Sequence, residues 1–317
     1  MSVWINLIGK FALIRETFVR QNRALQVFFA IIVLATIAFV VAFFFIKKTK
    51  TKVENPLDEI SAAWLNFRMG EYNQAILKFQ NVADGAPENS NERIQALYGL
   101  AYTEWLKQLP FGDKETASKL FNEIISKSPD SDYAAWSKLA LARMKHIVPT
   151  GETPDYPVVR KMYQEIYDQY PKKTAGHEAF IYMIGTYLAA FTKEDAEFAR
   201  KKLDEFIRDN PESPFISSAW GLLAKAYDIL GMKEKKLDAM LKELDKREID
   251  PKNPFMDNSS AYWAIASVAE FEVGDFDTAR KYYKLMMQEY PRERRNFGAT
   301  RALERMDALE AKLKAEN

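Results

Sequence analysis

The sequence predicts an all-α protein: a single N-terminal transmembrane helix, then a solenoid of about six helical hairpins, then a C-terminal capping helix. Three observations support this. An apolar run lies near the N-terminus, apolar residues beyond Pro56 recur at helical rather than strand spacing, and prolines recur every 40–42 residues. The predicted segments are an amphipathic helix at 1–23, the transmembrane helix at 24–46, a basic linker at 47–56, the solenoid at 57–291 and the cap at 292–317.

The composition narrows the class of function. The chain has 317 residues, of which 48% are hydrophobic and 28% charged, which is enough for one large domain or two small ones. Lys and Arg number 45 against 44 Asp and Glu, so the net charge of +1 gives no overall attraction to nucleic acid. The absence of cysteine excludes disulfides, thiolate metal sites, cysteine nucleophiles and a lipid anchor on cysteine.

The apolar run from Leu25 to Ile46 is predicted to be a retained membrane anchor. As a helix it would extend ~33 Å, against a hydrocarbon core of ~30 Å. A buried core helix would carry a polar face, and a cleaved signal peptide would be shorter and end in a small-residue cleavage site. We expect lipid contacts along the run, represented by Leu25, Phe28, Ile32, Phe39 and Phe44.

The segments beside the anchor leave two questions open. Four basic residues precede the anchor and four follow it, so the positive-inside rule does not decide its orientation. Residues 3–20 place Trp4, Phe11 and Phe18 on one helical face. This segment is either an interfacial helix, lying on the bilayer or on a membrane partner, or a helical extension of the anchor.

The repeat is most visible in its prolines. Each of them follows an amphipathic segment, and their positions are Pro87, Pro129, Pro171, Pro211, Pro251 and Pro291. Proline disfavours helix at the preceding residue and cannot continue the hydrogen-bond ladder. The regular spacing therefore marks a repeated helix end, which is typical of a solenoid.

The segments between the prolines share an internal pattern. In segment 57–87 the pattern consists of Ala63, Gly70, Tyr72, Ala75, Phe79 and Pro87. In segment 260–291 it consists of Trp263, Gly274, Phe276, Ala279, Tyr283 and Pro291. The first half of the pattern recurs as Trp220, Leu223, Ala224, Tyr227 and Gly231. Units near 93–129, 134–171 and 177–211 match less well, through Ala117 with Phe121, Tyr163 and Ala199. Small residues let paired helices approach, large ones fill the space between pairs, and glycine suits the turn.

This pattern resembles the tetratricopeptide repeat over most of residues 57–291. With an N-terminal span, it is similar to bacterial envelope members such as the outer-membrane assembly factor BamD and the translocon subunit YfgM. The chain departs from the first in lacking the lipid-bearing cysteine, and from the second in its amphipathic start and longer repeat.

The resemblance implies a non-catalytic adaptor or scaffold that holds protein partners in an envelope complex. The absence of cysteine agrees with an inner-membrane anchor and a periplasmic C-terminal domain. Two alternatives remain open. One is a translocon-associated, chaperone-like client binder, and the other is a cytosol-facing protein resembling the mitochondrial import receptors.

Neither catalysis nor a cofactor or metal is expected. The two histidines, His146 and His177, lie 31 residues apart, and no metalloprotease, phosphate-loop or nucleophile motif occurs. In the family that the chain resembles, first helices line a concave binding face. The resemblance thus implies partner-binding positions at Trp64, Arg68, Tyr182, Lys225, Phe271 and Glu272. For the aromatic members of this set, core packing is the alternative.

The C-terminal segment is predicted to cap the solenoid. Its apolar residues fall on one helical face: Ala302, Leu303, Met306, Leu309 and Leu313. Five arginines give the segment a basic patch: Arg292, Arg294, Arg295, Arg301 and Arg305. The patch is either a solvated surface or a site for an acidic partner.

Overall fold

The computed structural model describes residues 55–107, 112–250 and 257–316. The predicted amphipathic helix, the transmembrane helix with Leu25, Phe28, Ile32, Phe39 and Phe44, and nearly all of the basic linker lie outside these residues. Within the described ranges, every helix falls short of the combined length and hydropathy that a bilayer-crossing helix needs.

The described residues form thirteen α-helices and contain no strand. In chain order the helices are α1 (Pro56–Arg68), α2 (Tyr72–Gly85), α3 (Asn91–Leu106), α4 (Lys114–Lys127), α5 (Asp132–His146), α6 (Tyr156–Gln169), α7 (Thr174–Leu188), α8 (Lys193–Asp209), α9 (Ile216–Leu230), α10 (Lys233–Asp245), α11 (Ser259–Val268), α12 (Phe276–Glu289) and α13 (Asn296–Glu316). A π-helical turn, Ala269–Val273, continues α11. Taken in pairs along the chain, α1 to α12 correspond to the six predicted hairpins, numbered 1 to 6. Packing of the two helices on each other is seen in hairpins 1, 3, 4, 5 and 6.

The helices group into two compact units, and α3 contributes to both. In the first unit, residues 55–99, α1 packs on α2 as hairpin 1. Ala63 and Ala75 are fully buried, so the two helices approach closely, and the buried ring of Phe79 fills the space beside them. These residues pack in the roles that the sequence pattern predicts.

In the second unit, residues 100–316, each helix from α4 to α13 packs on the next one along the chain. First helices of successive hairpins also meet, since α5 contacts α7 and α7 contacts α9. Neighbour-on-neighbour packing of this kind defines a solenoid, so the predicted all-α solenoid is confirmed.

Between Ala135 and Met306, buried residues of the second unit form two clusters that share α10. Ala239 of α10 belongs to the first cluster, which extends from Ala135, and Leu237 belongs to the second, which extends to Met306. Met240 packs against both clusters. A single thirteen-residue helix thus covers apolar surface on two sides.

Four of the periodic prolines occupy the second position of a hydrogen-bonded turn. The carbonyl before each proline accepts a bond of 3.0–3.1 Å from the N–H three residues on, in the pairs Ser128 and Ser131, Tyr170 and Lys173, Asn210 and Ser213, and Tyr290 and Glu293. Proline suits this position because its fixed φ matches the turn. The preceding helix ends two residues before each of these prolines and before Pro87, as predicted, while Pro251 lies outside the described residues.

The second helices begin with side-chain caps in four hairpins. The capping oxygens accept bonds of 2.9–3.2 Å from the N–H three residues on, and they belong to Asp113, Asp155, Thr192 and Asp275. Such caps satisfy backbone donors that the first turn of a helix leaves free.

In four hairpins, the residue that lies two positions before the second helix has a left-handed backbone conformation. It is glycine in three of them, with φ of 78° at Gly70, 73° at Gly231 and 80° at Gly274. Glycine adopts this conformation without steric cost, as the sequence pattern predicts. In hairpin 4 the same place is taken by Phe191, whose φ is 53°. A bulky residue in this region is strained.

The C-terminal helix α13 packs on α12, as expected for a cap, but over part of its length. Ala302 and Met306 are buried, whereas Leu309 and Leu313 are 44% and 56% exposed. The predicted apolar face therefore continues past the surface that hairpin 6 covers. Three of the five arginines are in ion pairs, Arg295 with Glu293, Arg301 with Glu304 and Arg305 with Glu270.

The close packing of α7 on the preceding turn gives the first testable prediction. A Cβ on Gly176 would lie 2.0 Å from the carbonyl oxygen of Tyr170, whereas a Cβ on Gly185 of the same helix would meet nothing within 4 Å. Gly176→Ala is expected to lower the free energy of unfolding by about 1–3 kcal/mol through overpacking. Gly185→Ala should raise it by about 0.5–1 kcal/mol, since alanine favours helix.

Urea unfolding of the detergent-solubilised chain, followed by circular dichroism, measures both variants. A stabilised Gly176→Ala protein would contradict the packing described here, because the same helix carries the matched control.

Candidate protein-binding face

The first two predicted binding residues lie on α1, in the first unit. Trp64 is half-buried, and its ring meets those of Phe67, Phe79 and Tyr98 with centroids 5.7, 5.1 and 6.5 Å away. These contacts favour the packing interpretation for Trp64. Arg68, in the last turn of the same helix, is exposed.

The other four predicted residues lie in the second unit, on or directly after its first helices. They are Tyr182 on α7, Lys225 on α9, and Phe271 with Glu272 in the π-helical turn after α11. The structure does not gather these four into one cluster, because each has its own local set of partners.

Tyr182 belongs to an aromatic and charged cluster built by α3, α5, α6 and α7. Its ring stacks on Tyr163 with centroids 5.7 Å apart. The Arg143 guanidinium lies 5.3 Å from the centroid of Tyr182 and 5.5 Å from that of the buried Trp105. Arg143 is thus held between two rings at distances suited to cation–π attraction.

A carboxylate completes this cluster. Glu178, one turn before Tyr182 on α7, is hydrogen-bonded to the Tyr182 hydroxyl. Burial raises the pKa of the Glu178 carboxyl, although the bond to Tyr182 and the charge of Arg143 act in the opposite direction. Arg143 of α5 thus contacts Tyr182 of α7, so the cluster links two first helices and stabilises their packing.

The two histidines each make structural contacts. His177 is buried, and its ring nitrogens lie 2.9 Å from the Ser213 hydroxyl and 2.9 Å from the Pro171 carbonyl oxygen. Because a carbonyl only accepts, Nε2 of His177 carries the proton. His146 Nδ1 lies 3.0 Å from the Tyr163 hydroxyl, and burial, followed by the charge of Arg143, lowers the pKa of His146.

Lys225 contacts the strained Phe191. Its ammonium nitrogen lies 4.8 Å from the centroid of the Phe191 ring, so the turn of hairpin 4 reaches the first helix of hairpin 5. Phe191 remains 68% exposed. Among the described residues, no carboxylate comes within ion-pair distance of Lys225.

Glu272 is part of an ion-pair network rather than a free surface charge. The Lys236 ammonium on α10 lies 2.8 Å from Glu272 and 2.6 Å from Asp228 of α9. Lys236 is the fourth residue of its helix, and the other second helices have a buried apolar residue at this position: Ala75, Ala117, Val159, Ala196 and Ala279. Its two carboxylates compensate the partial burial of the charge.

Phe271 is 67% exposed, and the Arg305 guanidinium of α13 lies 5.0 Å from its centroid. Arg305 itself is bonded to Glu270, which is buried and also accepts a hydrogen bond of 3.0 Å from Tyr283. In the π-helical turn, Glu270 therefore bonds to the C-terminal helix α13, while the next residue, Phe271, is exposed to solvent.

Sequence reasoning missed Phe191, Arg143 and Lys236. The position of Phe191 could have been recognised in the sequence. It lies five residues before Ala196, just as Gly70 and Gly274 lie five residues before the equivalent alanines of their hairpins. Lys236 had a signal as well, a charge where the other second helices have an apolar residue, but its partners could not be predicted because they lie on other elements. Arg143 had no such signal, since the rings it contacts lie on other helices.

Comparison with known proteins supports a repeat architecture. A sequence model described as tetratricopeptide repeat matches residues 95–131, which cover most of α3 and all of α4. This match falls on hairpin 2, whose sequence fits the expected pattern less closely than those of hairpins 1 and 6. No curated protein matches the chain.

Several solved structures resemble the fold. The crystal structure of PilW, a widely conserved type IV pilus biogenesis factor, is 14% identical, with 76% of this chain and 96% of that one covered and a TM-score of 0.50. A putative kinesin light chain of Podospora anserina with TPR-like repeats is also 14% identical, with coverages of 61% and 97% and a TM-score of 0.43. Acl4, the assembly chaperone of RpL4, is 13% identical, with coverages of 82% and 99% and a TM-score of 0.41. A catalytic family is not among these matches.

The environment of His146 predicts a pH dependence of stability. Since the pKa of His146 is lowered from its ordinary 6.5, the unfolded chain takes up this proton at a higher pH than the folded chain. Stability should therefore fall as the pH drops below about 6.5. His146→Gln is expected to flatten this fall between pH 7 and 5.5, as measured by the Tm at each pH.

With two histidines in the chain, few other groups titrate in that window. An unchanged slope in the His146→Gln variant would contradict the lowered pKa of this half-buried ring.

The Lys236 network gives another prediction. Lys236→Ala should lower the free energy of unfolding by about 1–2 kcal/mol, although alanine is the usual residue at this position, because Glu272 and Asp228 lose their partner. In a Glu272→Gln background the same change should cost at least about 0.5 kcal/mol less. Equal losses in the two backgrounds, from denaturant titrations, would show that the ion pair does not couple α10 to the π-helical turn.

Proposed function

We propose that this chain, whose residues 95–131 match the tetratricopeptide repeat, serves as a membrane-anchored adaptor that holds protein partners in a bacterial envelope complex. Proteins of this architecture bind other proteins, and the contacting first helices α5, α7 and α9 offer a surface for that role. The observation that most supports the proposal is this row of three helices, with the Arg143–Tyr182 pair and Lys225 along it.

The anchor and the compartment rest on the sequence. The run from Leu25 to Ile46 has the length and hydropathy of a membrane span, and the absence of cysteine agrees with an oxidising compartment. The resemblance to envelope members supports a periplasmic location of the repeats. The likeness to PilW supports the fold alone.

Purification of the full-length chain in mild detergent, at low and high salt, tests the adaptor role. We expect one or a few partners in stoichiometric amounts that resist salt, because an adaptor holds a defined complex. Capture of many clients in small amounts that salt removes would contradict the proposal and favour a chaperone-like client binder.

Variants connect that complex to the first-helix face. Lys225→Gln should weaken partner retention, whereas Lys201→Gln, on a second helix of the same unit, should not. Arg68→Gln, made on its own, tests α1 of the first unit separately. Trp64 is left intact, because its ring contacts make its loss a packing defect.

Protease treatment tests the placement. The repeats should be digested in spheroplasts and protected in intact cells. Protection in both would overturn the periplasmic assignment and favour a cytosol-facing receptor.

A further inference from the structure

Three highly exposed phenylalanines of the second unit each lie beside a cationic group. Their exposed fractions are 68% for Phe191, 67% for Phe271 and 73% for Phe297. The cations are Lys225 at 4.8 Å, Arg305 at 5.0 Å and Arg301 at 5.5 Å from the respective ring centroids.

The three sites differ in charge. Arg305 is paired with Glu270, and Arg301 lies 2.8 Å from Glu304, so both guanidinium charges are balanced locally. Lys225 has no ion-pair partner among the described residues. Asp228, three residues further along α9, is already bonded to Lys236 at 2.6 Å.

The acidic first turn of α8 does not balance Lys225 either. Its carboxylates, Glu194 and Asp195, are not within ion-pair distance of Lys225, and Asp195 is bonded to the Thr192 hydroxyl at 2.9 Å. The ammonium of Lys225 therefore remains free to attract a carboxylate from another molecule.

The backbone gives an independent reason to single out Phe191. Its φ of 53° lies in the region that glycine fills at the equivalent turn of three other hairpins. A bulky residue there is strained, and an exposed apolar ring adds little to folding. Strain kept in this way is typical of binding sites rather than of packing positions.

We infer that Phe191 and Lys225 together bind an acidic peptide segment of a partner, one that carries a large apolar side chain next to a carboxylate. The apolar side chain covers the Phe191 ring, and the carboxylate pairs with the Lys225 ammonium. This inference rests on the proposed adaptor function, and it names the chemistry of the partner segment.

Fluorescence anisotropy of labelled synthetic peptides, titrated with the full-length chain in detergent, tests the inference. One ten-residue peptide carries two leucines, each followed by aspartate, and its counterpart has asparagine in place of aspartate. The aspartate peptide should bind at least about tenfold more tightly than the asparagine peptide, because it supplies the charge-assisted contact.

Two variants separate the contributions. Lys225→Gln should abolish the difference between the peptides, whereas Phe191→Gly should weaken both by about five- to tenfold. Phe191→Gly should also raise the Tm, since glycine relieves the strained turn, so its weaker binding cannot come from misfolding. Phe297→Ala, the control at a site where the neighbouring Arg301 is paired with Glu304, should leave both affinities unchanged.

Retained discrimination in Lys225→Gln, equal weakening by Phe297→Ala, or no binding of either peptide would overturn the inference. So would a concentration-dependent dimer that Phe191→Gly dissolves, because the occupant would then be a second copy. If stoichiometric partners co-purify equally with wild type and both variants, the site is wrong and the adaptor role stands. If none co-purifies with wild type, the adaptor role itself fails.

Discussion

The structure depends on the need of each helical hairpin to cover an apolar face that it cannot cover alone. In the second unit this need is met by the following helix at every step from α4 to α13. A small residue near the start of the second helix lets the neighbours come close, and Ala117, Ala196 and Ala279 are fully buried there. Stability in such an array comes from contacts between neighbours, so local defects affect adjacent hairpins first.

The repeat could be predicted from the sequence because the residues that end its helices act through their own local conformation. A proline such as Pro171 is favoured in its turn by its own φ, and glycine at Gly231 adopts its left-handed conformation without any partner. The partial cover of α13 could not be predicted, because periodicity gives the apolar face of a helix and not the length of the surface that it meets. Leu309 and Leu313 continue that face into solvent for this reason.

The candidate site was less predictable, for a physical reason. Spacing places a residue on the first helix of a hairpin, but the role of that residue depends on partners from other helices. Tyr182 stacks on Tyr163 of α6, and Glu272 pairs with Lys236 of α10, so two predicted binding residues also contribute to packing. Lys225 keeps a free charge because the nearest acid on its own helix is already engaged.

The sharing of α10 between the two buried clusters bears on how the second unit comes apart. A row of independent hairpins would fray from its ends, one hairpin at a time. Here the loss of α10 would expose Ala239 on one side and Leu237 on the other, and would break the charge link to the π-helical turn. The central hairpins are therefore mechanically continuous with the C-terminal ones, and a force or a protease acting on α10 would disrupt both at once.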